Sequence, residues 1–219
     1  MVLLTSASAD DLKWNVTSEC QMIVLPQKVA LSLLPGLKDE AKSEAGMAKV
    51  QDLIAKGEAT LAAHLIAKSK NNEKVEAETA EELRYATEHN PPQLPVNAPE
   101  DIEVLKAWPV VAISPISFET RNVGQKLEAD VRVGEDGKVL SVGAVVQHTR
   151  FLRWAKTDAG TLANGKQLFV EQPIFHVAKN TCSLTMRNGQ WILVGVHKLV
   201  EPAETLEIFL LKVSASPAP

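Results

Sequence analysis

Apolar residues in the first part of the chain fall into short runs with different periods. The run CQMIVLP predicts a strand that ends at Pro26. After it, Val29, Leu33 and Leu34 recur at the spacing of a helix face. The pair Pro35–Gly36 predicts the end of that helix, because proline removes a backbone donor and glycine weakens helical order.

A second helical pattern follows in KDEAKSEAGMAKVQDLIAKG. Ala45, Val50, Leu53 and Ile54 share one face, and the acidic residues come early, where the positive end of the helix dipole favours them. Gly57 follows the pattern as a C-terminal cap would. The sequence therefore predicts an amphipathic helix that ends before Gly57.

From Ala59 the pattern changes to that of strands. The segment ATLAAHLIAKSK predicts one strand, Asn71–Asn72 a turn, and KVEAETAEELRY a second strand, so that the two strands form a hairpin. The carboxylate run in the second strand is typical of a solvated strand face or of a sheet edge, where charge resists unwanted pairing. The segment EHNPPQLPVNAPED holds four prolines, so it predicts a connection and not a helix or a central strand.

The second half is dominated by strand patterns. In QKLEADVRV apolar and polar residues alternate, which predicts one buried and one exposed face. Asp136–Gly137 predicts a hairpin turn, because a tight turn needs a positive φ. The return segment from Val139 to Val146 is apolar on both faces, which predicts that both faces are covered.

Three further strands are predicted near the end of the chain, the first two of them joined in a hairpin. In CSLTMRNGQWILVGVHKLV two apolar segments meet at Asn188–Gly189, and TLEIFLLKVSA predicts the last strand. The fold class is therefore α+β, an N-terminal helix-plus-strand part followed by a predominantly antiparallel β part of long hairpins. The predicted division is 1–90, a proline-rich connection at 91–107, and 108–219.

Composition narrows the class of function. The chain has 219 residues, 45% of them hydrophobic and 23% charged, which is ordinary for a soluble globular protein with a sizeable core. The net charge of −4 gives no electrostatic reason to bind nucleic acid. No run reaches the length of a membrane-spanning helix, and the first residues, MVLLTSASADD, resemble a signal peptide poorly.

Residue types that carry out chemistry are present but scattered. The five histidines are His64, His89, His148, His176 and His197, none at metal-ligand spacing from another ligand type, and His148 and His197 are interpreted as structural or surface residues. There is no nucleophile elbow and no phosphate-binding glycine loop. Cys20 and Cys182 are either unpaired thiols or a disulfide in an oxidising compartment. The sequence thus predicts a protein that is not an enzyme, with no cofactor, metal or identified small-molecule substrate.

Four segments of the chain resemble one family. FETRNVGQKLEADVRVGEDGKVLSV looks like the secretin segment in which Val-Gly leads into a strand and an Asp-Gly hairpin. QPIFHVAKNTCSLTMRNGQWILVGV is similar to the block that follows, and ETLEIFLLKVSA to the last strand of that family. Secretins are gated outer-membrane channels of bacterial type II and type III secretion and of type IV pili. A fourth segment, GEATLAAHLIAKSKNNEKVEAETAEELRYATEHNPPQLP, is similar to the upstream part of the family, where a helix leads into a strand, a polar turn and a second strand. The resemblance therefore covers roughly residues 40 to 213, and it lies more in the order of elements than in one motif.

The resemblance also has departures. Gly195 falls on the first of the family's paired glycines and Val196 on the second. The family then carries a stretch that builds a lip in the outer membrane, whereas HKLVEPAETLEIF leads almost directly into the last strand. The resemblance therefore implies a secretin-like domain that lacks the membrane lip.

The function implied by the resemblance is assembly. We expect a non-enzymatic cell-envelope protein of the bacterial periplasm or outer membrane, which forms a homo-oligomer and acts with secretion or pilus components. The structural turns Asp136–Gly137 and Asn188–Gly189 would then belong to the assembling strands. Two alternatives remain open, a monomeric secretin-derived binding module and an enzyme with a dispersed site. Molecular mass in solution distinguishes the first two.

Overall fold

The computed structural model describes residues 13–91, 100–107, 113–162 and 165–218. The fold is mostly antiparallel β with a small helical part, so the predicted α+β class holds in this coarse form. The elements are β1 Trp14–Pro26, α1 Gln27–Lys38, α2 Ser43–Ala55, β2 Thr60–Lys70, β3 Val75–Asn90, α3 Ile102–Ala107, β4 Ser114–Val133, β5 Val139–Thr161, β6 Gln167–Arg187, β7 Trp191–Lys198 and β8 Thr205–Pro217.

The strands form two four-stranded sheets. The first sheet has the order β2-β1-β8-β7 and the second has the order β3-β4-β5-β6. In the first sheet β1 pairs antiparallel with both β2 and β8, and β7 pairs antiparallel with β8. The chain therefore changes sheet between β2 and β3 and again between β6 and β7. The predicted hairpin at Asn71–Asn72 is thus wrong, because β2 pairs with β1 and β3 belongs to the other sheet.

One hydrophobic core contains alternate residues of strands from both sheets. On β5, Leu140, Val142, Ala144 and Val146 are buried, whereas the residues between them are exposed or half-buried. The prediction that both faces of this segment are covered is therefore wrong, because its small outward residues need no second layer. The core comprises Val16, Cys20, Met22, Leu65, Leu127, Ala129, Val131, Leu140, Val142, Ala144, Val146, Ala178, Met186, Phe209, Leu211 and Val213.

A second core lies between the first sheet and the helices α1 and α2. Ile208 and Leu210 point to this side of β8, while Phe209 and Leu211 point to the first core. Both faces of the first sheet are thus covered along this part of β8, which explains why Leu206 to Leu211 is apolar except for Glu207. The second core comprises Ile23, Leu25, Ala30, Leu33, Leu37, Met47, Val50, Ala59, Trp191, Leu206, Ile208 and Leu210.

The two helices differ in how well the sequence predicted their ends. Helix α1 continues through Pro35 to Lys38, so the prediction that it stops at Pro35–Gly36 is wrong. Leu37 is buried in the second core, and this packing holds the last turn in spite of the proline. Helix α2 ends at Ala55 as the pattern predicted, and Gly57 has a φ of +74° while its N–H donates to the carbonyl of Ile54 at 3.0 Å.

The chain divides into two compact units, which we call the core unit and the strand unit. The core unit comprises residues 1–79, 124–148 and 177–219, and the strand unit comprises 80–123 and 149–176. Helix α3 lies within the predicted proline-rich connection, whose residues 92–99 fall outside the described ranges. The sequential division into 1–90, 91–107 and 108–219 stays a prediction.

Candidate functional site

The connection between β4 and β5 contains Asp136 and Gly137. Gly137 has a φ of +68°, and its N–H donates to the carbonyl of Gly134 at 2.9 Å. The carboxylate of Asp136 accepts from the backbone N–H of Lys138 at 3.0 Å. Glycine is needed here for a second reason, because a Cβ at this position would overlap the ring of Trp14.

Asn188 joins this turn to the end of β8. Its side-chain Nδ2 donates to the carbonyls of Gly137 and Ala215, both at 2.8 Å, and its Oδ1 accepts from the N–H of Ala215 at 2.9 Å. Gly189 follows with a φ of +78° and donates its N–H to the carbonyl of Val213 at 2.9 Å. One asparagine side chain therefore ties together three segments that are far apart in sequence.

The strands that meet at Asn188–Gly189 belong to different sheets, since β6 is in the second and β7 in the first. The predicted hairpin within one sheet is therefore wrong, although the turn itself is present. The physical reason is that Trp191 and the residues after it pair with β8 in an antiparallel ladder. The local sequence pattern of β7 does not indicate whether this strand pairs with β8 or with β6.

Asn71, like Asn188, uses hydrogen bonds to join segments that are far apart in sequence, here at the connection between β2 and β3. Its Oδ1 accepts from the N–H of Val133 at 2.8 Å, and its own N–H donates to the carbonyl of Trp14 at 3.3 Å. The next residue, Asn72, has a φ of 61° and donates to the carbonyl of Val131 at 2.9 Å. Asn71, Gly137 and Asn188, with Trp14, form what we call the turn cluster of the core unit.

Gly195, the position of the family's first glycine, is not part of the turn cluster. It lies in β7 where the register with β8 shifts, since Leu193 pairs with Leu210 and Gly195 with Phe209. A Cβ on Gly195 would overlap the side chain of Asn180 on β6. Because Gly195 has no side chain, β7 can form a β-bulge at the same position where the side chain of Asn180 approaches its backbone closely.

A buried acid–base pair connects the two sheets. Nδ1 of His148 on β5 lies 2.6 Å from Oε1 of Glu207 on β8, and both side chains are almost fully buried. Nε2 of His148 lies 3.1 Å from the side-chain nitrogen of Gln125 on β4. The sequence analysis treated His148 as structural or surface and did not single out Glu207. In the sequence, the one sign of a special role for Glu207 is that it interrupts an apolar run between Leu206 and Ile208.

The two cysteines are free thiols. Cys20 is fully buried, and burial is the main reason that the pKa of its thiol rises to about 12. Cys182 is half-buried, and burial also raises the pKa of its thiol, while its Sγ donates to the carbonyl of Ala144 at 3.7 Å. Since the thiolate is the reactive form, neither residue has the environment of a nucleophile.

The strand unit presents large apolar side chains to solvent. Every buried apolar side chain of the described residues belongs to the core unit, and Thr149 alone is buried among the described residues of the strand unit. On β6, Phe169 is 48% and Ile174 37% exposed. The other large apolar residues that are exposed in this unit are Val104, Ile116, Phe118 and Trp154.

Several rings of the strand unit contact each other and arginine. Phe175 lies 5.9 Å from Tyr85 and 6.3 Å from Phe151 between ring centroids, and the guanidinium of Arg121 lies 4.9 Å from the Phe175 centroid. The hydroxyl of Tyr85 donates to Glu119 at 3.1 Å. These contacts cover part of the rings and leave a surface of aromatic and charged groups.

Two classes of feature do not occur within the described ranges. There, no group of three or more His, Cys, Asp or Glu side chains is placed to hold a metal ion. None of the helices in the described part of the chain has the length and apolar character needed to cross a membrane.

The comparisons with known proteins concern the fold. No protein-family model matches the chain, and no curated protein matches it significantly. Among solved structures, it is similar to the secretin in the ETEC pilotin–secretin complex AspS–GspD, with a TM-score of 0.46 and 8% identity over 94% of this chain and 50% of that one. It is also similar to the V. cholerae type IV competence pilus secretin PilQ, with a TM-score of 0.41 and 10% identity over 93% of this chain and 58% of that one.

A third similar structure is the Salmonella SPI-1 type III secretion injectisome secretin InvG, with a TM-score of 0.37 and 9% identity over 94% of this chain and 64% of that one. The chain thus spans about half to two thirds of the length of these three proteins. All three are secretins, the family that segments of the sequence resemble.

Proposed function

We propose that this chain is a non-enzymatic, secretin-like cell-envelope protein that works by assembling with copies of itself in protein secretion or pilus export. The observation that carries the proposal is the exposure of the strand unit. Its four strand segments bury almost no side chain, although they carry aromatic and aliphatic residues. Exposed apolar surface of this kind is typical of a face that another molecule covers.

The ends of the second sheet support the same proposal. β3 and β6 are its first and last strands, so each has one side without a neighbouring strand in the chain. These strands have 16 and 21 residues, well above the usual length of five or six. Long open edges carry unpaired backbone amides, and a second copy of the sheet satisfies them by adding a strand.

The molecular mass of the purified chain in solution tests the proposal. We expect light scattering behind a sizing column to give a multiple of the 23.8 kDa chain mass. A species of 23.8 kDa at every concentration would contradict self-assembly and support the monomeric binding module instead.

Two matched double variants locate the assembling surface. Phe169→Ser/Ile174→Ser removes two exposed apolar side chains from β6, the edge strand that passes through the strand unit. Leu61→Ser/Ile66→Ser removes two side chains, 39% and 53% exposed, from β2, an edge strand of the first sheet. We expect the first variant to reduce the assembled fraction and the second to leave it unchanged. Equal effects would place the contact outside the strand unit.

A further inference from the structure

Asn188 and Gly189 form one of two Asn–Gly pairs in the chain, the other being Asn164–Gly165. In such a pair the backbone nitrogen of the glycine attacks the side-chain amide of the asparagine, because glycine has no side chain to shield that nitrogen. This chemistry makes asparagine a thermolabile residue. It needs no enzyme, oxidant or cofactor, and water is its only co-reactant.

The reaction at this pair has two steps. The nitrogen of Gly189 gives up its proton to water and forms a bond to Cγ of Asn188, while the Cγ–Nδ2 bond breaks and Nδ2 leaves as ammonia. Water then opens the cyclic imide at one of its two carbonyl carbons, and the ring nitrogen takes a proton. Opening at Cγ leaves an aspartate, and opening at the backbone carbon leaves an isoaspartate with an extra carbon in the main chain.

The fold engages both reacting groups with other partners. The N–H of Gly189 donates to the carbonyl of Val213 at 2.9 Å, so its proton is held in a hydrogen bond to β8. Nδ2 of Asn188 donates to the carbonyls of Gly137 and Ala215, both at 2.8 Å. The N–H of Ala215 donates to Oδ1 at 2.9 Å, which polarises the Asn188 carbonyl and by itself favours attack. The three bonds together fix the plane of the amide, however, so Cγ cannot turn towards the nitrogen until the turn opens.

The product does not fit the place of the asparagine. A carboxylate accepts hydrogen bonds and donates none, so an aspartate here loses both bonds that Nδ2 makes. The carbonyl oxygens of Gly137 and Ala215 then face a negative oxygen in a half-buried position, and acceptors without a donor are destabilising. An isoaspartate also lengthens the backbone of the turn between β6 and β7.

We propose that Asn188 is a modification site controlled by the fold. The turn cluster keeps the asparagine intact while the turn is closed, a chain in which the turn opens deamidates there, and the deamidated chain no longer closes the turn. The inference does not depend on whether copies of the chain assemble, since every group named belongs to one chain. In the alternative reading the pair only shapes a turn, and its reactivity does not follow the hydrogen bonds.

Peptide mapping by mass spectrometry measures the reaction at each pair. The purified chain is kept at mildly alkaline pH with and without urea, and timed samples are digested briefly with trypsin, which places the two pairs on separate peptides. The peptide with Asn164 shows that the chain in urea reacts. Without urea we expect Asn188 to react about a hundredfold more slowly than in urea, because opening the turn breaks several hydrogen bonds.

Gly137→Ala tests whether the turn cluster is what protects Asn188. Its Cβ meets the ring of Trp14, so it strains the turn whose carbonyl accepts from Nδ2. Phe209→Ala is the matched control, because it removes a fully buried ring of the core unit and leaves the hydrogen bonds of Asn188 in place. At equal unfolded fractions we expect Asn188 to deamidate at least about tenfold faster in the first variant.

Asn188→Asp places the product in the chain directly. We expect its melting temperature to lie about 5–10 °C below that of the wild type. Asn90→Asp changes an exposed asparagine at the end of β3 and should melt as the wild type does. When wild-type chain aged in urea is refolded, the folded fraction should contain intact Asn188 and the misfolded fraction the modified residue.

Any of four results would overturn the inference. Asn188 that reacts equally fast with and without urea is not protected by the fold, and Asn188 that stays intact in urea while Asn164 reacts is not a reactive site. A folded Gly137→Ala chain that protects Asn188 as well as Phe209→Ala does would remove the role of the turn cluster. An Asn188→Asp chain that melts and refolds as the wild type does would show that the product is tolerated. If Gly137→Ala does not fold, the wild-type comparison with and without urea still decides between the two readings.

Discussion

Strands β3 to β6 each contribute one segment to the core unit and another to the strand unit, and the two kinds of segment bury their side chains very differently. Strand β5 shows the change most clearly, because Leu140, Val142, Ala144 and Val146 are buried and no residue beyond Thr149 is. The later segment still contains Phe151, Leu152 and Trp154. The difference is therefore not one of hydrophobic content. It is one of position, since the half of β5 in the core unit is buried within its own chain and the half in the strand unit is exposed.

The largest expected effect tests whether side chains of the two units also differ in how much they contribute to the free energy of unfolding. Phe209 is fully buried, so Phe209→Ala should lower the free energy of unfolding by about 3–5 kcal/mol. Phe118 in the strand unit is exposed, with the guanidinium of Arg84 4.4 Å from its ring centroid, so Phe118→Ala should cost less than about 1 kcal/mol. Denaturant unfolding at one fixed protein concentration measures both. Similar costs for the two variants would remove the contrast.

The buried pair of His148 and Glu207 provides a second test of how strongly the interior of the core unit contributes to stability. His148→Leu leaves the Glu207 carboxylate buried without its imidazole, and we expect a loss of about 3–5 kcal/mol in the free energy of unfolding. The double variant His148→Leu/Glu207→Leu should recover most of this loss, since buried ion pairs are often replaced by apolar residues at little cost. The same denaturation series measures both, and a double variant as unstable as the single one contradicts the pairing.

Gly137 of the turn cluster and Gly189, which follows Asn188, allow two alanine substitutions whose costs in the free energy of unfolding should differ. Gly137→Ala meets both a positive φ and the ring of Trp14, so we expect a cost of about 2–4 kcal/mol. Gly189→Ala meets the positive φ, but its nearest neighbour is the hydroxyl of Ser214 at 3.9 Å, so the cost should be about 1–2 kcal/mol. Thermal unfolding ranks them, and a reversed order would show that Trp14 moves freely.

The smallest expected effect concerns pH. Lys74 and Lys126 hold the pKa of Glu128 at about 2, well below its ordinary value of 4.5. Because the pKa of Glu128 is lower in the folded state, its ion pairs stabilise the fold above pH 4.5, and this stabilisation is lost as the pH falls towards 2. Glu128→Gln should therefore cost at most about 1 kcal/mol near pH 6 and nearly nothing near pH 2. A pH-independent difference would mean that the ion pairs contribute nothing measurable.

Local signals in the sequence predicted much of the fold. The alternation in β4, the helix that ends before Gly57 and the change of period at Ala59 are all visible without a structure, because each depends on a few neighbouring residues. The end of α1 was mispredicted because Leu37 packs on a distant strand and overrides Pro35. Tertiary packing of this kind leaves no local signal.

The candidate site was predicted less completely, for the same reason. Gly137 and Asn188 were each recognised as turn residues, but their hydrogen bond joins positions 51 apart. The sheet to which β7 belongs depends on pairing with β8, and strand periodicity does not name a partner. The pairing of His148 with Glu207 spans 59 residues, so only the odd glutamate within an apolar strand could have drawn attention to it.

Glu207 has a consequence for how faithfully the chain folds. A slip of β8 by one residue would turn every side chain of that strand to the opposite face. Glu207 would then lose His148 and enter the apolar layer under the helices, where an unpaired carboxylate is strongly disfavoured. We expect the double leucine variant, although stable, to trap misregistered molecules that give a second set of amide signals by NMR, whereas the wild type gives one.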